Sequence, residues 1–348
     1  MAILFIKTRD TKERRLIFTL LFASSVTLVQ LAAQQSNAAQ KSIEELKTKA
    51  EAGDAQSEVE LGFRYEQGKG VAKDQIEAVK WYRKAAEQNN PEAQNSLGVG
   101  YEKGEGVTKN QAEALKWFRK AAEQNYAKAQ YNLAHCFDTG EGVAKDPAEA
   151  AKWLRKAAEQ NVAAAQYNLG VDYDKGAGVT IDHAEAAKWY RKAAEQNYAM
   201  AQYNLGVCYA EGVAKNEREA LMGAARDPVE AVKWYRKAAE QNFAKAQFNL
   251  GVCYADGEGV AQDPVEAMKW YRKAAEQNYA DAQYKLGMCY EYGRGVAENS
   301  VEAYKWLLLA VKQGDEDAKA FLTVMESKMP KPEQIAEGQK RARDFKPR

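Results

Sequence analysis

The chain has 348 residues, in which 50 lysine and arginine side chains stand against 49 aspartate and glutamate side chains. This balance leaves no net charge that would attract nucleic acid or an anionic membrane, so neither is an expected partner. The mean hydropathy of −0.63, with hydrophobic residues at 46%, is typical of a soluble protein that buries a core.

The first 38 residues are predicted to form a secretory signal peptide. Five basic side chains between Lys7 and Arg15 precede an uncharged run over 16–33, and Ser36 and Ala38 supply small residues for cleavage before Ala39. The uncharged run is nearly long enough to cross a membrane, so an uncleaved N-terminal anchor is the alternative. Cleavage predicts an exported protein, periplasmic or secreted, with no further membrane association.

Seven tryptophans mark an internal repeat. They are separated by 36, 36, 36, 45, 36 and 36 residues, and six of them begin a phrase close to WYRKAAEQN. The seven are Trp81, Trp117, Trp153, Trp189, Trp234, Trp270 and Trp306. A fixed period of this length is typical of stacked repeat proteins, in which each unit needs its neighbours to complete a core.

Each repeat is predicted to contain two helices. The second helix begins with a capping signal such as Asp146-Pro147, in which the carboxylate accepts hydrogen bonds from the first turn and proline occupies the first helical position. The first helix carries Leu205 on its apolar face, and the recurrent Gly206 indicates a close approach between helices. A glycine-rich loop joins the two helices, and its valine is expected to pack into the core.

These patterns predict an all-α fold, a right-handed α/α solenoid of tandem helix pairs. We place the solenoid over 39–329, with about seven helix pairs and a capping helix at each end, and a polar C-terminal tail over 330–348. Capping helices are expected because the terminal units lack part of the repeat signature, either the tryptophan or the Leu-Gly pair.

The repeat resembles the Sel1-like repeat, a relative of the tetratricopeptide repeat. The resemblance is carried by Ala-x3-Leu-Gly-x2-Tyr-x2-Gly-x-Gly-Val, followed by the capping aspartate, Trp and Ala-Ala. It implies a non-enzymatic adaptor without a cofactor, and behind a signal peptide an exported protein-interaction scaffold. The most specific hypothesis for this scaffold is a host-recognition factor, similar to family members that bind secretory immunoglobulin A. The alternatives are a cell-envelope assembly scaffold that binds glycan or proteins, and an unrecognised hydrolase.

The reactive side chains form no recognisable catalytic or metal-binding motif. His135 and His183 lie in different registers of the repeat, and neither CxxC nor HExxH spacing occurs. The cysteines share one register, in which equivalent positions on neighbouring helix pairs lie roughly 8–10 Å apart and beyond disulfide reach. They are Cys136, Cys208, Cys253 and Cys289. We therefore predict four free thiols, no metal site and no cofactor.

A basic stripe recurs along the second helices, first as Lys80, Arg83 and Lys84. Glu87 follows one turn later. A solvated face of mixed charge is therefore favoured over a site for an acidic polymer.

A column of aromatic residues on the first helices is the main candidate for a binding surface. Its members lie about 160° from the Leu205 position on a helical wheel, away from the core stripe, and most are followed by asparagine. This aromatic column comprises Tyr131, Tyr167, Tyr203, Phe248 and Tyr284, and its asparagines are Asn132, Asn168, Asn204 and Asn249. We expect a protein or peptide partner along this concave face. The alternative is that each ring packs against the neighbouring repeat.

One repeat is nine residues longer than the others, between about residues 210 and 226. The segment VAKNEREAL within it is similar to the start of another repeat. We interpret it as the remnant of a slipped duplication that forms a longer loop, either neutral or part of the binding face.

Overall fold

The computed structural model describes residues 41–212, 226–328 and 332–347. The predicted signal peptide and most of the inserted segment lie outside the described residues. The chain divides into two compact units, unit 1 up to Ala144 and unit 2 from Lys145 onward. The third repeat therefore contributes its first helix to unit 1 and its second helix to unit 2.

The regular structure in the described ranges consists of seventeen helices, with no strand among those residues. Unit 1 contains α1 (41–51), α2 (Ala55–Gln67), α3 (Gln75–Glu87), α4 (Pro91–Lys103), α5 (Gln111–Glu123) and α6 (Ala127–Thr139). Unit 2 contains α7 (Pro147–Glu159), α8 (Ala163–Lys175), α9 (His183–Glu195), α10 (Ala199–Glu211), α11 (Pro228–Glu240), α12 (Ala244–Asp256), α13 (Pro264–Glu276), α14 (Ala280–Tyr292), α15 (Ser300–Val311), α16 (Glu316–Lys328) and α17 (Pro332–Arg343). From α2 to α15, the even-numbered helices are the first helices of the repeats and the odd-numbered ones are the second helices. The prediction of an all-α solenoid of tandem helix pairs is confirmed.

Within each unit, a first helix packs on the second helix of its own repeat and on the second helix of the preceding repeat. Leu169, Leu205 and Leu250 are at most 1% exposed at these contacts. Full burial of a leucine side chain stabilises the fold by about 1.5–3 kcal/mol. No helix pair completes this core alone, so stability depends on stacking.

The predicted caps of the second helices are confirmed. The side chain of Asp146 accepts a hydrogen bond from the amide of Glu149 at 3.0 Å, with proline at the first helical position. Asp227 accepts from the amide of Glu230 in the same way at 3.0 Å. The carboxylate of Glu230 in turn pairs with Lys233 at 2.8 Å. Such pairs at helical spacing contribute a few tenths of a kcal/mol each.

Gly206 demonstrates the close approach that the recurrent glycine predicts. A β-carbon at this position would lie 2.6 Å from the ring of Tyr235 on α11. The equivalent Gly98 meets the ring of Phe118 at the same distance. The aromatic ring of the second helix thus occupies the space that a side chain on the first helix would need.

Additional helices cover the two ends of the described chain. At the start, α1 buries Ile43 and Ala50. At the other end, α17 lies in the segment expected to be a polar tail. It packs on α15 with Ala342 buried, while Arg341 pairs with Glu302 at 2.6 Å. The polar residues of this tail therefore form the outer side of a further capping helix.

Candidate binding face of the first helices

The five rings of the aromatic column are half-buried. Tyr131 lies on α6 in unit 1, and Tyr167, Tyr203, Phe248 and Tyr284 lie on α8, α10, α12 and α14 in unit 2. Unit 2 therefore carries one ring of the column on each of four consecutive repeats. Each ring is partly inside the stack and partly open to solvent.

In unit 2, three rings of the column each contact two other aromatic rings. The centroid of the Tyr203 ring lies 6.0 Å from that of Tyr235 on the second helix of its own repeat, and 5.4 Å from that of Phe243, which precedes the next first helix. The corresponding pairs are Tyr167 with Tyr190 and Tyr198, and Phe248 with Tyr271 and Tyr279. The rings therefore pack against neighbouring elements, as the alternative interpretation of the column predicts. The same rings are also partly exposed to solvent.

The asparagines beside the column connect neighbouring first helices. In unit 1, Asn132 on α6 donates to the side-chain oxygen of Asn95 on α4 at 2.9 Å. In unit 2, Asn204 hydrogen-bonds the hydroxyl of Tyr167, which belongs to the preceding repeat. Burial raises the pKa of Tyr167, and the bond from Asn204 opposes that rise. The asparagines thus fix the rings within the stack.

Valines one turn further along the first helices extend the apolar strip. Val171, Val207 and Val252 are half-buried and pack against the same core clusters as the column rings of their own helices. Rings and valines together form the apolar strip of unit 2, with half-buried apolar side chains one turn apart on α8, α10 and α12.

The first-helix face of unit 1 is more polar. The register of the aromatic column holds Asn95 on α4. A cleft of about 570 Å³ lies beside Tyr131 and His135 and is lined in part by Glu102 and Glu141. Two lysines complete the charged lining, so this cleft presents side chains of both signs.

A ladder of buried glutamines is a feature that the sequence analysis missed. Gln202 is 1% exposed, and its amide donates to the carbonyl of Ala194 at 3.2 Å and to the side chain of Asn197 at 3.0 Å. Its side-chain carbonyl accepts from Gln241, which caps the C-terminus of α11, at 2.7 Å. Asn197 adopts the left-handed conformation, with φ of +64°. The recurrent Gln-Asn pair after Ala-Ala-Glu was the available signal in the sequence.

The basic stripe of the second helices is engaged within the molecule. Arg236 donates to the hydroxyl of Tyr254 on the next first helix at 2.7 Å. The ammonium of Lys237 lies 4.0 Å from the ring centroid of Trp234. The arginines therefore stabilise packing between repeats, while the lysines cover the tryptophan rings.

The histidines and thiols occupy separate environments. His183 is exposed with its Nδ1 atom 3.0 Å from Asp174, and His135 is exposed in unit 1. All four cysteines are free thiols, and burial raises the pKa of Cys208 to about 12. Across the described ranges, no group of three or more histidine, cysteine or acidic residues could hold a metal ion. No helix in those ranges is long and apolar enough to cross a membrane.

Helix pairs stacked at a period of 36 residues define an α/α-solenoid repeat protein. The model of the Sel1 repeat matches seven consecutive segments, 55–90, 91–126, 127–162, 163–198, 199–243, 244–279 and 280–315. The chain belongs to the Sel1 repeat family, as the sequence resemblance predicted.

Solved structures and a curated protein resemble the chain. A Sel1 repeat protein from Oxalobacter formigenes is 35% identical with a TM-score of 0.61, and the match covers 73% of this chain and 96% of that one. The protective antigen c5321 of uropathogenic Escherichia coli, which displays an SLR fold, is 31% identical with a TM-score of 0.42, over 88% of this chain and 79% of that one. The secretory immunoglobulin A-binding protein EsiB of Escherichia coli O6:H1 strain CFT073 is 49% identical over 43 residues. That match covers 12% of this chain and only 9% of the length of EsiB.

Sel1 repeats mediate protein–protein interactions. The chain is accordingly a protein-interaction scaffold of this family.

Proposed function

We propose that this protein is an exported, non-enzymatic scaffold that binds a protein partner along the aromatic column of unit 2. The observation that carries the proposal is the presence of one half-buried ring at the same register on each of four consecutive repeats. Aromatic side chains are enriched in protein interfaces and often supply most of the binding energy. No single repeat could offer this extended strip.

A binding role agrees with the state of the reactive groups. The cysteine thiols are held protonated by burial, which raises the pKa of Cys208 to about 12 and that of Cys289 to about 11. A thiol in this state is a poor nucleophile because the thiolate is the reactive form. Membership in the Sel1 repeat family supports the same conclusion.

Export is the second part of the proposal, and it rests on the basic, apolar and small-residue segments over 1–38. Intact-mass measurement of protein recovered from the periplasm or the medium should find a chain that begins near Ala39. Recovery of exported protein that retains Met1 would contradict cleavage and favour the anchored alternative.

We propose a host protein, secretory immunoglobulin A, as the first partner to test, because a segment of the chain is 49% identical to EsiB. Surface plasmon resonance with immobilised secretory immunoglobulin A should detect binding of the mature chain. Binding should be strongly weakened when Tyr167, Tyr203 and Phe248 are replaced together by alanine, since aromatic anchors contribute roughly 2 kcal/mol or more each.

Two further variants separate binding from folding. Replacing the same three residues by leucine keeps part of the packing but removes the aromatic faces, so binding should fall with a smaller change in melting temperature. The matched control replaces Ile181, Val229 and Val265 by alanine, because these apolar side chains of unit 2 are 51–57% exposed away from the column. If the control loses binding and the leucine variant keeps it, the aromatic column is not the binding surface.

A further inference from the structure

The first and second helices of unit 2 carry opposite net charge, although the whole chain is nearly neutral. The helices α8, α10, α12 and α14 contain six carboxylates and three lysines. The helices α7, α9, α11 and α13 contain twelve lysine and arginine side chains and eight glutamates. The aromatic column therefore lies on the acidic set of helices.

Nearby carboxylates also raise the pKa of tyrosines in the column. Burial raises the pKa of Tyr203, and the negative charges of Glu211 and Asp281 raise it further. At the last ring of the column, burial and the charge of Asp317 act on Tyr284 in the same direction. Glu211, Asp281 and Asp317 are exposed, so the apolar strip is bordered by solvated negative charge.

The arginines of the second helices are held by tyrosines rather than by these carboxylates. Arg191 donates to the hydroxyl of Tyr209 at 2.8 Å, and Arg236 donates to that of Tyr254 at 2.7 Å. Both tyrosines belong to the next first helix, so the arginines are fixed within the stack. These arginines therefore do not neutralise the carboxylates that border the column, although their helices carry a net positive charge.

One end of the column already carries a cation on a ring. The ammonium of Lys285 lies 5.8 Å from the ring centroid of Tyr284. Close by in sequence, the guanidinium of Arg294 lies 5.3 Å from the ring centroid of Tyr292, which is 50% exposed. Cations at such distances are attracted by the negative face of the ring.

We propose that the partner segment bound by the aromatic column of unit 2 is a basic peptide. Its lysine or arginine side chains would lie on successive rings and between the bordering carboxylates. This inference rests on the proposed function and adds the chemistry of the partner to it. Asn204 bonds Tyr167 of the preceding first helix, so consecutive first helices are in side-chain contact, for which helix axes lie roughly 8–10 Å apart. An extended peptide advances about 3.3 Å per residue. A cation at every third residue therefore matches one ring per repeat.

Three fluorescein-labelled peptides test the inference by fluorescence anisotropy with the full chain. Each has about twelve residues, with lysine, glutamine or glutamate at every third position between glycine and serine. The lysine peptide should bind about tenfold or more tightly than the glutamine peptide, and the glutamate peptide should bind most weakly. Raising the salt concentration from about 50 to 300 mM should weaken the lysine peptide several-fold, because exposed charges become screened.

Variants with neutralised carboxylates show which part of the protein binds the lysine peptide. Replacing Glu211 by glutamine and Asp281 and Asp317 by asparagine should weaken binding of the lysine peptide about tenfold. The matched control, Glu159→Gln with Glu195→Gln and Glu240→Gln, removes the same charge from second helices of unit 2 and should change binding less than about threefold.

Failure of this inference is distinguishable from failure of the proposed function. Equal affinity for the lysine and glutamine peptides, or an equal loss in both triple variants, would overturn the basic-peptide inference. Absence of binding by all three peptides would overturn it as well. The aromatic column would still be the binding surface if capture of secretory immunoglobulin A depended on Tyr167, Tyr203 and Phe248.

Discussion

Two aromatic columns run through unit 2, and they differ in how much of each ring reaches solvent. On the second helices, Trp189, Trp234 and Trp270 are 5–8% exposed, and Trp234 packs into a core cluster with Tyr190 of the preceding repeat. On the first helices, the rings of the aromatic column are half-buried, and Tyr203 contacts the rings of Tyr235 and Phe243. Large rings at a fixed register thus complete the core in one helix and leave an open surface in the other. Substitutions in the two columns should have different consequences.

The largest effect on stability is expected in the tryptophan column. Trp234→Ala should lower the free energy of unfolding by roughly 3–5 kcal/mol, because it removes a nearly buried indole and leaves a cavity. Denaturant unfolding followed by circular dichroism measures this loss.

Trp153→Ala is the matched control, because Trp153 is half-buried and its indole nitrogen donates to Glu149 at 3.0 Å. Its loss should be clearly smaller than that of Trp234→Ala. Equal losses would show that exposure of the indole does not decide its contribution.

The sequence predicts the parts of this comparison that depend on one helix or one repeat. The period of the tryptophans indicates the stack, the aspartate caps locate the starts of the second helices, and Gly206 indicates close helix packing. The caps and the glycine follow from local spacing and backbone chemistry within one repeat, and the period follows from comparing the repeats with one another.

The sequence does not predict contacts whose partners come from other helices. A helical wheel places Tyr203 away from Leu205 on its own helix but contains no information about Phe243, which caps the start of the next first helix. The same reason explains why the ladder through Gln202 was missed. The helix over 332–343 was missed because its buried surface is contributed by small residues, Gly338 and Ala342, within a polar segment.

The next effect in size concerns the close approach between Gly206 and the ring of Tyr235. Gly206→Ala should destabilise the protein by up to about 2 kcal/mol. Overpacking against the ring of Tyr235 costs about 1–3 kcal/mol, and the higher helix propensity of alanine offsets about 1 kcal/mol of this. Thermal unfolding of the variant and of the wild type measures the difference.

A second substitution sharpens this prediction. Tyr235→Leu in the Gly206→Ala background reproduces the residue pair Ala134 and Leu154 that the third repeat carries at these positions. The double variant should recover most of the lost stability. If it is less stable than Gly206→Ala alone, steric conflict with the ring is not the cause of the loss.

A single substitution in the aromatic column should cost less than one in the tryptophan column. Tyr203→Ala should lower the free energy of unfolding by about 1–2 kcal/mol, because each of its two ring contacts contributes about 0.5–1.5 kcal/mol and part of the ring is already exposed. Tyr203→Phe keeps the ring and loses only the hydroxyl bonded to Asn249, so it should cost about 1 kcal/mol or less. A loss from Tyr203→Ala as large as that from Trp234→Ala would place this ring in the core.

The smallest expected change in the free energy of unfolding is confined to alkaline solution, and it arises from the buried Cys208 thiol on α10. Burial raises the pKa of Cys208 from 9.0 to about 12, so the folded chain keeps a thiol proton that the unfolded chain has lost between pH 9 and pH 12. Unfolding then releases a proton, and the free energy of unfolding falls as the pH rises through this range. The contribution is fully present below pH 9 and should decrease by on the order of 1 kcal/mol by pH 10. Denaturant unfolding at pH 8 and pH 10, with Cys208→Val as the control, measures it as the difference between the two proteins. Thiol counting after denaturation without reductant should find all four cysteines free. An equal pH dependence in both proteins would mean that the Cys208 thiol is not protected from ionisation by the fold.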